Sequence, residues 1–192
     1  MTSPASSGRR SRRSHEATLA AAFELATEVG YAQVTIEGIA ARAGVGKQTI
    51  YRWWPSKGTV VLEAVNEKVG SGIDFRSTGD VIADLTGQMS AVVGLLNTEM
   101  GDIFTGLIAE AQSDPVLTEA ILDTIVRPRT RECADLLKEG QRLGQIRDDV
   151  DLDAAVELLY APLYYRLLLR IAPLSTDHVA DVLALAFRGL RP

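Results

Sequence analysis

Two short apolar-periodic stretches, IEGIAARA at 36–43 and GKQTIYRW at 46–53, stand on either side of Gly44. Neither is long enough to persist as a helix unless something packs against it. The chain must therefore supply a third helix, and the residues in front provide one. Ser14 can cap a pattern running to Val29, in which Leu19, Ala22, Phe23 and Ala26 form one apolar stripe that Gly30 ends. Residues 31–34 are a connector. Thr35 caps the first short helix with Ile36, Ile39 and Ala40 inward, Gly44 makes the turn, and Ile50 anchors the second. Pro55 suits the first turn of a further helix to about Val69. Two short helices joined by a glycine turn and covered by a third describe a helix-turn-helix module.

Beyond a loop rich in Gly and Ser, GSGIDFRSTG, the patterns lengthen. Asp80 caps a helix to about 97, and a shorter one covers 103–112. Asp114 followed by Pro115 opens a long helix to about 143, bent near Pro128. Asp151 opens another through 171, and Ser175 or Thr176 caps the last, ending at Gly189. The expected fold is all-α with about nine helices. Residues 1–13, MTSPASSGRRSRR, lack apolar periodicity and read as a disordered basic arm in front of a DNA-binding module at 14–62.

Charge divides the chain in the same place. Residues 1–58 carry eight Lys/Arg against four acids, a net of +4, within a protein of net charge −5. Such asymmetry suggests a basic module that meets a polyanion and an acidic module with another task. Within the basic part, AGVGKQTIYRWWPSK at 43–57 sets cations and aromatics together without one acid. In a helix-turn-helix module the second helix enters the major groove of double-stranded DNA with its early side chains at base edges. Those positions are Gly46, Lys47, Gln48 and Thr49. Gln48 can bond adenine bidentately, Lys47 can donate to guanine, and Thr49 offers a hydroxyl and a methyl. Tyr51, Arg52 and Trp53 can donate to phosphate oxygens, Lys57 adds a point charge, and Thr35 stands where a helix amino terminus presents N–H groups to a phosphate. Trp53 can equally pack on the first helix. Trp54, on the inward side four residues after Ile50, reads as core, and Arg42 as a solvated helix charge.

Other chemistries find little support. GVGKQT resembles the end of a phosphate-binding loop, but Ala41 replaces its first glycine, Gln48 its Ser/Thr, and a helix replaces the preceding strand. One cysteine, Cys133, makes no internal disulfide, and His15 and His178 are too few for a metal cluster or a convincing catalytic set. Both histidines read as surface or cap residues. No metal and no cofactor is expected, and the chain reads as a cytoplasmic protein that is not an enzyme. The most apolar span, 156–174, is broken by Glu157, Arg166 and Arg170, so no membrane partner is expected.

The run TIEGIAARAGVGKQTIYRWWPSK at 35–57 resembles the DNA-binding signature of TetR-family transcriptional regulators, TVxxIAxxAGVxxxTIYxxxxSK, and the resemblance covers about residues 14–62, a quarter of the chain. Gly44, Val45, Thr49, Tyr51, Pro55 and Lys57 fall at its offsets. Trp54 stands where Phe is common, and Gly46, where a capping Ser is frequent, removes a side-chain cap. The resemblance implies an Ω-shaped homodimer, more often a repressor, that reads a palindromic operator. It also implies a ligand-binding and dimerisation domain over 63–192, in which a small, mostly apolar effector shifts the helix at 55–69.

Two apolar groupings suit those roles. Met89, Val93, Leu96, Met100, Phe104, Leu107, Ile108, Ile121 and Tyr164 are what an adaptable pocket between helices uses, and equally what a core uses. Leu159, Leu163, Leu167, Val182 and Leu185, on the last two helices, suit a four-helix dimer seam or an ordinary core. A regulator that binds only other proteins would show that region filled, and an enzyme fused to a DNA module would need an acid/base pair that the loop and cap carboxylates Asp148, Asp149, Asp151 and Asp153 do not resemble.

Overall fold

The computed structural model describes residues 4–191, with side chains from residue 11 onward. All regular structure among them is helical, as expected. The helices are α1 (Pro4–Val29), α2 (Ile36–Ala43), α3 (Lys47–Tyr51), α4 (Lys57–Val69), α5 (Val81–Leu96), α6 (Glu99–Ala111), α7 (Pro115–Ile121), α8 (Arg127–Arg142), α9 (Leu152–Leu169) and α10 (Thr176–Leu190). α7 passes into α8 through a π turn, Leu122–Val126, with no loop between them. Counted as one helix, the pair brings the described total to the nine expected. The widened turn lies just before Pro128, which has no N–H to close an α-helical bond, and it is where the long helix departs from regularity.

α1 begins ten residues earlier than the sequence suggests. Residues 4–13, expected to be part of a disordered arm, are helical, and residues 1–3 lie outside the described residues. Ser14 is therefore not a cap: its carbonyl accepts the Thr18 hydroxyl at 2.7 Å, one turn on. Arg12 pairs with Glu16 at 3.6 Å across a turn, and Ala and Arg are good helix formers, so the segment has local reasons to continue the helix.

The chain forms two compact units. The first runs through Lys68 and includes Asp102–Thr124; the second comprises Val69–Gly101 and the chain from Ile125. In the first, Leu19, Ala22 and Ala26 of α1 are buried with Ile36, Ile39 and Ala40 of α2, Ile50 of α3, and Val60, Val61, Leu62 and Val65 of α4. Thr35 accepts the Gly38 N–H at 3.0 Å, and Gly44 ends α2 at φ 66, a left-handed conformation that costs glycine nothing. Pro55 stays outside α4, which Ser56 and Thr59 cap reciprocally at 3.2 and 3.4 Å. The later part of α6 and all of α7 pack with these helices. The unit thus extends past residue 62, where the sequence alone draws the line. Contact is close: a methyl at Gly58 would lie 2.6 Å from Leu117, and one at Gly106 would lie 2.7 Å from Tyr31.

The second unit is a bundle of α5, α8, α9 and α10 around Leu85, Met89, Leu137, Leu159, Leu163, Val179 and Phe187. Asp80, Asp151 and Ser175 cap their helices as expected, at 3.0–3.2 Å. The segment before α5 is tied down by Asp84, which accepts from the Thr78 N–H at 2.8 Å and its hydroxyl at 2.9 Å, and by Gln88, which donates to the Ile73 carbonyl at 3.1 Å. Gln88 also accepts from the Tyr160 hydroxyl.

The dimer-seam expectation needs correction here. Leu159, Leu163 and Val182 belong to this bundle's own core, and Leu167 packs against it, leaving Leu185 as the one exposed member of the five. α9 is apolar almost all round, so its periodicity does not reveal which stripe turns inward. The outward stripe is Leu158, Tyr165, Leu168 and Leu169.

Candidate nucleic-acid interface

α3 projects from a turn built to expose it. After the left-handed Gly44, the Gly46 carbonyl accepts the Thr49 N–H at 2.9 Å, starting the helix without a side-chain cap. Ile50 is fully buried, and with one inward residue per turn fixed, the others must face out. Gly46, Lys47, Gln48, Tyr51, Arg52 and Trp53 are exposed and Thr49 is half-buried. Eight of the nine residues expected at DNA thus stand in or beside α3 or, with Thr35, at the exposed start of α2.

Lys57 is the exception. It lies half-buried at the start of α4, its Nζ 3.4 Å from a Glu110 carboxylate oxygen on α6 and 4.8 Å from the centre of the Tyr31 ring. The Tyr31 hydroxyl is buried with no hydrogen-bond partner among the described residues. Burial, reinforced by the Glu110 and Asp114 carboxylates, pushes this phenol well above its ordinary range. Lys57 is thus engaged within its own unit, which the sequence, with the partners 53 positions apart, does not reveal.

Other cations are also paired. Lys47 reaches Glu37 on α2 at 2.8 Å, and this hydrogen bond raises the ammonium and lowers the carboxyl from their ordinary values. Arg42 reaches Glu28 at 2.6 Å, consistent with a helix charge. Exposed pairs of this kind are weak and salt-screened, so a phosphate can replace the carboxylate at small cost.

A cluster that periodicity leaves unnoticed lies behind α3. Trp54 is 3 % exposed, as its inward position implies, and its Nε1–H donates to Glu63 of α4 at 2.6 Å. The other Glu63 oxygen lies 3.1 Å from Nε2 of His15 on α1. The imidazole sits 4.7 Å from the Trp54 ring at a tilt of 34°, and 5.4 Å from the Trp53 ring, edge-on at 82°. Trp53 stays 49 % exposed, with the Arg52 guanidinium 5.7 Å from its ring centre. His15 precedes Leu19 by one turn, so its place on the inward stripe was the available signal.

The expected pocket residues fall in both units. Met89, Val93, Leu96, Met100 and Tyr164 are in the second, whereas Phe104, Leu107, Ile108 and Ile121 are in the first. Met89, Val93, Leu107 and Ile121 are buried among apolar neighbours. Among the described residues no group of His, Cys, Asp and Glu could hold a metal ion, and no single helix is long and apolar enough to cross a membrane.

A short helix held on a glycine turn, with cations, an amide and aromatics outward, defines a helix-turn-helix DNA-binding regulator. Comparisons with known proteins make the class specific. Residues 19–64 match the family model of bacterial regulatory proteins of the tetR family, and 75–186 match the tetracyclin repressor-like C-terminal domain. The HTH-type transcriptional regulator YdeS of Bacillus subtilis strain 168 is 30 % identical over 177 residues, 92 % of this chain and 89 % of that protein. The crystal structure of the TetR family transcription regulator SCO0332 superposes with a TM-score of 0.80 at 36 % identity, covering 93 % of this chain and 99 % of that one. FadR from Bacillus subtilis, solved in complex with stearoyl-CoA, shares the fold at a TM-score of 0.70 and 22 % identity, over 92 % and 99 % of the two chains. The chain belongs to the TetR family. Its relatives are transcriptional regulators, not enzymes.

Proposed function

We propose that this regulator works in the cytoplasm as a homodimeric repressor that holds a palindromic operator and leaves it when a small, mostly apolar effector binds. The observation that carries this reading is the division of α3 and its flanks into a buried anchor, Ile50 with Trp54, and an outward set of Lys47, Gln48, Tyr51, Arg52 and Trp53. Gln48 and Lys47 read base edges in the major groove, while Tyr51, Arg52, Trp53 and the α2 start at Thr35 hold phosphates. Occupying a promoter this way blocks transcription without a further activating surface.

The second copy docks on the outward stripe of α9 and α10. Leu158, Tyr165, Leu168, Leu169 and Leu185 are all exposed, with Leu158 at 54 % and Leu185 at 65 %, and a contiguous apolar face is costly to leave in water. The effector enters the second unit among Met89, Val93, Leu96 and Tyr164. A fatty acyl thioester in the distantly related FadR supports the apolar class.

Incubating the protein with sheared DNA of its source organism and sequencing what it retains at moderate salt tests this. A recurrent inverted repeat is expected, and salt-labile retention without a motif would refute it. On the selected duplex, Gln48→Ala should relax discrimination at one base position by roughly 1–3 kcal/mol while other positions keep theirs.

A further inference from the structure

We propose that His15 is a positioning residue for DNA binding: its imidazole, tied to Glu63 and set against both indoles, holds Trp53 in the orientation it presents to the DNA backbone. The inference rests on the interface described above and deepens it by naming what holds the face still.

The need for such a residue follows from the local backbone. α3 ends at Tyr51, and Trp53 follows in a last turn closed by its N–H to the Ile50 carbonyl at 2.9 Å. A half-exposed indole there has several open rotamers, and an ordered contact must suppress them before DNA arrives. Trp54 needs no help, being buried and bonded to Glu63. Trp53 meets the His15 ring at a near-perpendicular angle and has the Arg52 guanidinium close to its own ring. His15 is itself fixed twice, by the Glu63 oxygen at 3.1 Å and by the Trp54 face at 4.7 Å. One carboxylate on α4 thereby orients an imidazole on α1, which orients an indole at the end of α3.

The test joins affinity to a spectroscopic signature. The chain's only two tryptophans are both in contact with His15, so its indole emission reports on this cluster. A ring packed against an indole shields it from water and from small quenchers. Full-length protein, H15A and H15F would be titrated with the most enriched duplex from the genomic selection, and quenching of their emission by acrylamide would be followed at one pH without DNA. Circular dichroism would check that each variant is folded. H15A should weaken duplex binding roughly tenfold, and H15F, which keeps a flat ring against both indoles, should recover most of it. Emission of H15A should be quenched more readily than that of the unaltered protein, and that of H15F should match the unaltered protein.

Folded H15A that binds within twofold of the unaltered protein would overturn the proposal, as would H15A emission no more open to acrylamide than that of the unaltered protein. H15F as weak as H15A would also overturn it. Failure of the unaltered protein to bind any duplex would remove the interface itself. That result is distinguishable because the quenching measurement does not depend on DNA.

Discussion

Each unit contains a knot of hydrogen-bonded polar groups, partly open to water in the first and closed in the second, and the two are used differently. In the first unit Glu63 joins His15 and Trp54 beneath a tryptophan that remains half exposed. In the second, Gln88 joins Tyr160 to the Ile73 carbonyl, with the Cys133 thiol against Tyr160, and Gln88 and Cys133 are themselves closed to solvent. Removing a partner from a closed knot strands groups that water cannot reach, whereas an open knot can be rehydrated. The closed knot therefore serves stability and the open one presents a surface.

The largest effects should come from separating inward from outward residues on α9. Leu159→Ala is expected to cost about 2–5 kcal/mol in denaturant unfolding, because Leu159 is fully buried in its own bundle. Leu158→Asp should leave the subunit folded and shift sedimentation from dimer to monomer. Equal unfolding losses would erase the distinction between the two faces. Next, Gln88→Ala should destabilise by about 1–3 kcal/mol, and Glu63→Ala by less than about 1 kcal/mol while weakening operator binding. A Glu63 variant as unstable as the Gln88 variant would show that the first knot is closed too.

Alkaline pH sharpens the same contrast. Burial pushes the Cys133 thiol up to about 12 from an ordinary 9.0, against the lowering effect of its Tyr160 hydrogen bond. Between those values the unfolded chain releases this proton and the folded chain keeps it. Stability should therefore fall as pH rises, by at most about 1.4 kcal/mol per pH unit from this group. Cys133→Ala should flatten that slope in urea midpoints measured across the range. The smallest expected change is for Lys57→Ala, which should lower the salt dependence of duplex binding by about one phosphate contact if Lys57 exchanges Glu110 for DNA. An unaltered slope would confine Lys57 to its pairing with α6.

Local chemistry made much of this legible. Thr35, Asp80, Asp114, Asp151 and Ser175 are short polar residues before apolar-periodic runs, and each caps the helix expected of it. Gly44 sits where a left-handed turn is required. The outward face of α3 could be deduced from Ile50 alone, since one buried residue fixes a short helix's rotation. Features set by distant partners were hidden. Lys57 meets Glu110, Lys47 meets Glu37 and His15 meets Glu63, and no periodicity links such positions. On α9 leucines occupy both sides, and only packing against α5, α8 and α10 selects which stripe turns inward.

The two glycine contacts in the first unit have a mechanical meaning. At Gly58 and Gly106 the backbones of α4 and α6 approach Leu117 and Tyr31 with no room for a methyl group. A joint without play does not absorb displacement. Tyr31 touches both glycine positions, so a displacement of the part of α6 beyond Asp102 would press on α4 through that one ring.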